Sequence, residues 1–197
     1  KVPDFTLPDQ RGTMRTLMSV MGRRGAMVVF YRSADWCPYC KTQLLELQGQ
    51  LAKLEKDGLG LVAISYDSRE VLSAFSAQHG ITFPLLSDTG SATIKRFGIL
   101  NTVALEALGP NGKDPDVVAQ SRLYVAGNGA TAMMAGIPFP GTFIVDTAGR
   151  VKARFFEDSY TVRNTTSSIL MKVGGTGPAV AGARISTERS EEHTSEL

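Results

Sequence analysis

The chain has 197 residues, 43% of them hydrophobic and 20% charged, with a formal net charge of +2. That balance is ordinary for a globular protein with its own apolar core, so the fold needs no disulfide staple. It leaves no electrostatic footprint for nucleic acid, and no run of about 18 apolar residues is present to form a transmembrane helix.

In chain order, Phe5-Thr6-Leu7 alternates, Pro8–Gly12 is turn-like and Thr13–Leu17 is extended, so Val2–Leu17 is predicted as a β-hairpin. Ala26–Tyr31 is an uncharged run rich in β-branched and aromatic residues, the pattern of a central strand buried on both faces. Cys37–Lys56 is predicted as a helix, with Leu44, Leu47, Leu51 and Leu54 on one face and Gly58 and Gly60 ending it. Leu59–Ser65 follows as a second buried strand. Asp67 or Ser68 caps the next helix, which turns Val71, Leu72 and Phe75 inward and stops at Gly80. His79 falls at that helix end, where a cation is commonly structural.

Phe83–Leu86 is predicted as a short strand and Ser91–Phe97 as a short helix. Asn101–Ile137, punctuated by Gly109-Pro110-Asn111-Gly112, Asp114-Pro115-Asp116 and Gly127-Asn128-Gly129, is a long insertion with helical character around Pro115–Leu123. Thr142–Val145 is a strand, Asp146–Gly149 a hairpin turn and Arg150–Phe156 the returning strand. Tyr160–Val173 suggests a last helix. Strands alternating with helices and closing on a hairpin imply an α/β fold with a mixed central sheet flanked by helices.

The chain is thus organised as a domain over 1–173 with an insertion at 101–137, then a linker over 174–188 leading to a further C-terminal part. Residues 189–197 read RSEEHTSEL, which matches the conceptual translation of a common sequencing adapter, and are excluded from the fold argument. The opening at Lys1 is read as that of a fragment or processed form, so the compartment is left open.

The chemistry gathers at Trp36-Cys37-Pro38-Tyr39-Cys40, which holds the only two cysteines. Cys37 falls after a buried strand and at the start of a helix, where backbone N–H groups lack internal partners and the macrodipole is positive. Both effects favour the thiolate, the species that attacks a disulfide sulfur or a peroxide oxygen. Cys40 lies one turn further in, within reach of a mixed disulfide. Pro38 suits the first turn, where its missing N–H costs nothing, and Trp36 flanks the sulfur. A zinc site would need four ligands, whereas the chain has two cysteines and two histidines, with His193 inside the adapter-like tail. The methionines are scattered and read as core and loop filler, and Arg23-Arg24 as a solvated turn. Pro140, directly before a strand, is either a rigid entry to that strand or a cis proline presenting its backbone to the active-site sulfur.

Phe30–Lys41 (FYRSADWCPYCK), Pro140–Asp146 (PGTFIVD) and Val2–Pro8 (VPDFTLP) together resemble the redoxin, or AhpC/TSA-like (peroxiredoxin-like), branch of the thioredoxin superfamily, over roughly Lys1–Lys172 apart from the insertion. The resemblance implies a thioredoxin-like three-layer fold with an N-terminal β-hairpin. It also implies Cys37 as attacking and Cys40 as resolving cysteine, and Pro140 as the cis-proline. Trp36, Pro38, Tyr39, Pro140, Gly141 and Thr142 are the expected substrate-positioning residues. No cofactor is expected beyond the redox-active Cys37–Cys40 disulfide, and no metal. The expected partners are a protein or small-molecule disulfide, or a peroxide, together with an external thiol reductant.

The sequence departs from the peroxiredoxin pattern at three points. Ala34 stands where that pattern has threonine and Phe30 where it has proline, leaving Ser33 as the near substitute for the missing hydroxyl. Thr142–Val145 carries no arginine. The Cys-Pro-Tyr-Cys tetrad also occurs in glutaredoxins, but glutathione binding is not carried over to this longer chain. Tyr31 stands where thioredoxin has a buried acid, and a phenol is a poor proton acceptor at neutral pH. These departures put thiol–disulfide exchange first, a thiol peroxidase second, and a non-catalytic redox-sensing binding module third.

Overall fold

The structure is a computed structural model that describes residues 1–102, 136–156, 163–164, 166, 169 and 184–185. The N-terminal hairpin pairs β1 (Thr6–Pro8) with β2 (Met14–Thr16). Its turn is wound around the buried carboxylate of Asp9, which accepts from the backbone N–H of Arg11 and Thr13 and from Arg15 Nε, each at 2.9 Å. Burial works against this charge, but the bonds from Arg15, Thr13 and Arg11 outweigh it and hold the carboxyl below its usual range. A single 3-10 turn, Met18–Val20, follows. It is set by local exchange, with Thr16 N donating to Ser19 Oγ and Ser19 N to Thr16 Oγ1, too short a device to leave a periodic signal.

Five strands form the mixed sheet predicted from the alternating pattern. They are β3 (Gly25–Phe30), β4 (Leu59–Ser65), β5 (Leu85–Ser87), β6 (Gly141–Val145) and β7 (Val151–Phe156), in the order β5-β4-β3-β6-β7. β3, β4 and β5 run parallel, while β6 is antiparallel to both β3 and β7. The parallel connections are helical: α1 (Pro38–Lys56) links β3 to β4, and α2 (Arg69–His79) links β4 to β5. Ser68 caps α2 through its hydroxyl, and Gly80, at φ 64°, ends it in the left-handed conformation that lacks a Cβ penalty. α3 (Ala92–Arg96) is the short helix beyond β5. No helix among the described residues is long and apolar enough to cross a membrane.

β3 is buried along its whole length because both faces are covered. Met27, Val29 and Tyr31 point to α1 and α2, where Leu44, Leu47, Leu54, Leu72 and Phe75 meet them. Ala26, Val28 and Phe30 point the other way, onto Phe5, Leu17, Val20 and Ile94 from the hairpin side and α3. This period-two division produces three layers from one apolar run. Where the second layer crosses β4 the backbones touch: a Cβ on Gly60 would strike the carbonyl oxygen of Val20. His79 packs against Phe75, ring centroids 4.6 Å apart, in keeping with a structural role.

The stretch read as an insertion leaves and re-enters the domain on neighbouring tracks. Asn101 N donates to Ile137 O at 2.9 Å, and Phe139 N to Ile99 O at 2.7 Å. Residues 103–135, including the helix expected around Pro115–Leu123, lie outside the described residues. The helix predicted from Tyr160 does not extend over Arg163–Asn164, which is strand β8 and pairs with β9, Arg184–Ile185. Arg163 and Asn164 are flanked in sequence by the β-branched residues Thr161, Val162 and Thr165, a type that loses rotamer freedom in a helix. Helix is present at Thr166 and Ile169, and Thr166 N bonds Glu46 Oε1 at 2.8 Å, tying this segment to α1. β9 falls within the stretch read as a linker; the tail 189–197 lies outside the described residues.

Candidate active site

The loop between β3 and α1 carries the two cysteines to the mouth of the helix. Cys37 is the N-cap of α1, with φ −96° and ψ 101°, and Pro38 occupies the first turn. Cys37 Sγ accepts the N–H of Cys40 at 3.2 Å, so the sulfur takes the place usually held by a Ser or Asp oxygen. The first turn holds no acidic side chain, while Lys53 and Lys56 lie in the last. The helix therefore presents an uncompensated positive end to the sulfur. The two sulfurs are joined as a disulfide with Cα atoms 5.3 Å apart, and both residues are 0% exposed.

Arg32, five residues before Cys37, is buried and donates from Nη2 to Cys37 Sγ at 3.2 Å. Its guanidinium also lies over the Trp36 ring, 5.5 Å from the centroid, so Trp36 flanks the cation. Trp36 Nε1 donates to Tyr66 Oη at 2.8 Å. Burial is the main cause that pushes the Tyr66 phenol up to about 12, so this oxygen stays protonated. Pro38 is exposed, whereas Tyr39 is half-buried against the helix-side core.

Below the loop lies a buried carboxylate, Asp67, just past the end of β4. Its Oδ1 accepts from Ser33 Oγ at 2.8 Å, and its Oδ2 from Ala34 N at 2.7 Å and Ser65 Oγ at 2.8 Å. Ser33 Oγ in turn accepts from Asp35 N at 2.9 Å and Trp36 N at 3.4 Å. The hydroxyl expected to stand in for the peroxiredoxin threonine is therefore turned toward Asp67 and organises the loop. Tyr31, wholly buried beneath the same loop, has its phenol pushed far above the usual range by burial, with the nearby Asp67 charge acting in the same direction.

The proline loop differs from expectation. No cis peptide bond occurs among the described residues, so Phe139–Pro140 is trans. Pro138 bridges Leu100, and Phe139 N is committed to Ile99 O. The chain thus runs extended into β6 without the sharp reversal a cis bond would introduce. Gly141 pairs with Phe30 and Thr142 with Val29, which sets Pro140 level with Tyr31 at the loop's base. Gly141 is buried under the Phe156 ring, which a Cβ would strike, and Thr142 is buried on the sheet. Gly141 and Thr142 therefore belong to the strand supporting the loop, and Pro140 directly precedes it.

Arg32, Asp67 and Tyr66 are the site residues that sequence reading missed. Arg32 carried a usable signal: a lone cation within a stretch expected to be buried needs a partner able to bear negative charge, and Cys37 is nearby. Asp67 was read only as a possible cap for α2, and Ser68 takes that role instead.

The model of the AhpC/TSA family matches residues 1–154. A putative peroxiredoxin of Mycobacterium tuberculosis is 37% identical over 98 residues, 50% of this chain and 61% of that one. The match thus spans about three fifths of that relative's length. Alkyl hydroperoxide reductase E of Mycobacterium bovis is 31% identical over 150 residues, 76% of this chain and 78% of that one. Among solved structures, the fold resembles peroxidoxin BcpB from Mycobacterium tuberculosis, with a TM-score of 0.62 at 21% identity, covering 88% of this chain and 91% of that one.

Proposed function

The chain belongs to the AhpC/TSA family, and from that premise we propose that it is a thiol-dependent peroxidase with Cys37 as the attacking and Cys40 as the resolving residue. The observation that carries this reading is the Arg32 guanidinium on Cys37 Sγ at 3.2 Å. It supplies the cation that the uncharged strand Thr142–Val145 lacks, and it adds to the positive end of α1 in favouring the thiolate.

In the proposed cycle the Cys37 thiolate attacks the distal oxygen of a hydroperoxide. The O–O bond breaks, a sulfenic acid forms on Cys37, and the alkoxide leaves as an alcohol after taking a proton. The sulfur of Cys40, as thiolate, then attacks Cys37 Sγ and expels hydroxide, which takes up the proton lost by the Cys40 thiol and leaves as water. The product is the Cys37–Cys40 disulfide, the state seen here. Two electrons from an external dithiol restore both thiols, and that dithiol becomes a disulfide. A small hydroperoxide suits the site because both cysteines are fully buried, and the names of the relatives favour the same substrate class. Tyr31 is a poor base here, since its phenol stays protonated when raised by burial.

Thiol–disulfide exchange, placed first on sequence alone, is the second reading. It uses the same two sulfurs and is favoured by their one-turn separation, with Cα atoms 5.3 Å apart. Stopped-flow mixing of the reduced protein with hydrogen peroxide separates the two. The peroxidase reading expects consumption orders of magnitude faster than a free thiol, and consumption no faster than a free thiol would exclude it.

A further inference from the structure

Asp67 takes no part in the cycle above, yet three donors converge on it. Two of them, Ser33 Oγ and Ala34 N, belong to the loop between Arg32 and Cys37; the third, Ser65 Oγ, anchors the carboxylate to β4. The loop then folds back on itself, since Asp35 N and Trp36 N both donate to Ser33 Oγ. The ends of this clamped stretch are the two groups whose contact matters, the guanidinium of Arg32 and the sulfur of Cys37.

We propose that Asp67 is a positioning residue for the reaction: by clamping Ser33 and Ala34 it fixes the loop that holds Arg32 against Cys37. This rests on the reading of Cys37 as the attacking thiolate and deepens it. The ionised carboxylate suits the task because all three of its partners are donors; a neutral carboxyl or amide places a hydrogen where a donor already points. A guanidinium on a long side chain keeps one geometry only if the backbone beneath it is fixed. Burial pushes the Asp67 carboxyl upward, against the bonds from Ala34, Ser33 and Ser65. Among the described residues, the titratable groups that interact with it are Tyr31 just past β3, Tyr66 beyond β4 and Asp35 in the loop.

The test uses the full chain with Cys40→Ser, so that Cys37 is the one thiol, and follows the pH dependence of its alkylation by iodoacetamide. Asp67→Asn raises the thiolate midpoint and slows alkylation at neutral pH about tenfold, the size expected on loosening a neighbouring opposite charge. Added to Arg32→Met, the same substitution produces no further slowing, because Asp67 acts through Arg32. A merely structural Asp67 would lower the melting temperature and leave the Cys37 profile in place, or would slow alkylation independently of Arg32; either result overturns the proposal. Should Asp67→Asn fail to fold, Ser33→Ala removes one arm of the clamp and must shift the midpoint in the same direction, and an unshifted midpoint overturns it equally. A low midpoint in the parent that Asp67→Asn does not move defeats this inference alone, whereas an ordinary midpoint in the parent defeats both it and the reading of Cys37.

Discussion

Arg32 and Cys37 meet 3.2 Å apart at the mouth of α1, guanidinium on sulfur, although both residues are buried. A buried cation is costly without a negative partner. In the disulfide the sulfur only accepts a hydrogen bond, so the arrangement reaches its full electrostatic value when Cys37 is a thiolate. On the proposed function, the reduced protein is the state this pairing serves.

Arg32→Met should slow the reaction of reduced protein with hydrogen peroxide by about 10- to 100-fold, the effect of removing an opposite charge worth one to two pKa units. Arg32→Lys should recover part of the rate, since a point charge replaces a planar fork. Second-order rate constants from stopped flow check both.

Cys37→Ser should abolish peroxide turnover. Cys40→Ser should complete one oxidation and stop, leaving a sulfenic acid that dimedone traps and mass spectrometry locates on Cys37. Equal residual turnover in the two variants would contradict the assigned order of attack.

Asp9 links pH to stability. Its carboxyl is held below its usual range, so its contribution is fully present above the unfolded value near 3.8 and is lost as pH falls from there through the lower folded value. Asp9→Asn should therefore be destabilised at neutral pH, and the gap from the parent should close as the solution is acidified through that window. Urea unfolding at a series of pH values measures it.

Leu44→Ala on α1 removes a fully buried side chain from the helix-side core and should cost about 2–5 kcal/mol. Ser68→Ala removes only the hydroxyl that caps α2 and should cost about 1 kcal/mol. Denaturant midpoints compare the two.

Much of the scaffold was legible because its signals are local and periodic. The uncharged run ending at Tyr31 could only be a doubly covered strand, the leucines of α1 recur on one face, and Gly80 marks a helix stop. The placement of Cys37 and Cys40 at the mouth of α1 was legible because they fall between a buried strand and an amphipathic helix. The Asp67 clamp was not legible, because Ser33 and Asp67 are separated by 34 positions and meet only through the path of a loop with no period. Pro140 misled for a related reason. The Phe139–Pro140 bond is trans, and Phe139 beside it is held by a non-local pairing with Ile99 that the sequence does not reveal. The expected helix from Tyr160 gives way to strand at Arg163–Asn164, a pairing with the distant Arg184–Ile185 that no local pattern reveals.

The most direct test is the spectroscopic titration of the Cys37 thiolate in the reduced Cys40→Ser protein. A midpoint at least about one unit below the ordinary thiol value of ~8.5 is the predicted result, since helix mouth and guanidinium act together. A midpoint at or above the ordinary value would contradict the account, leaving a disulfide at a helix terminus with no activated sulfur.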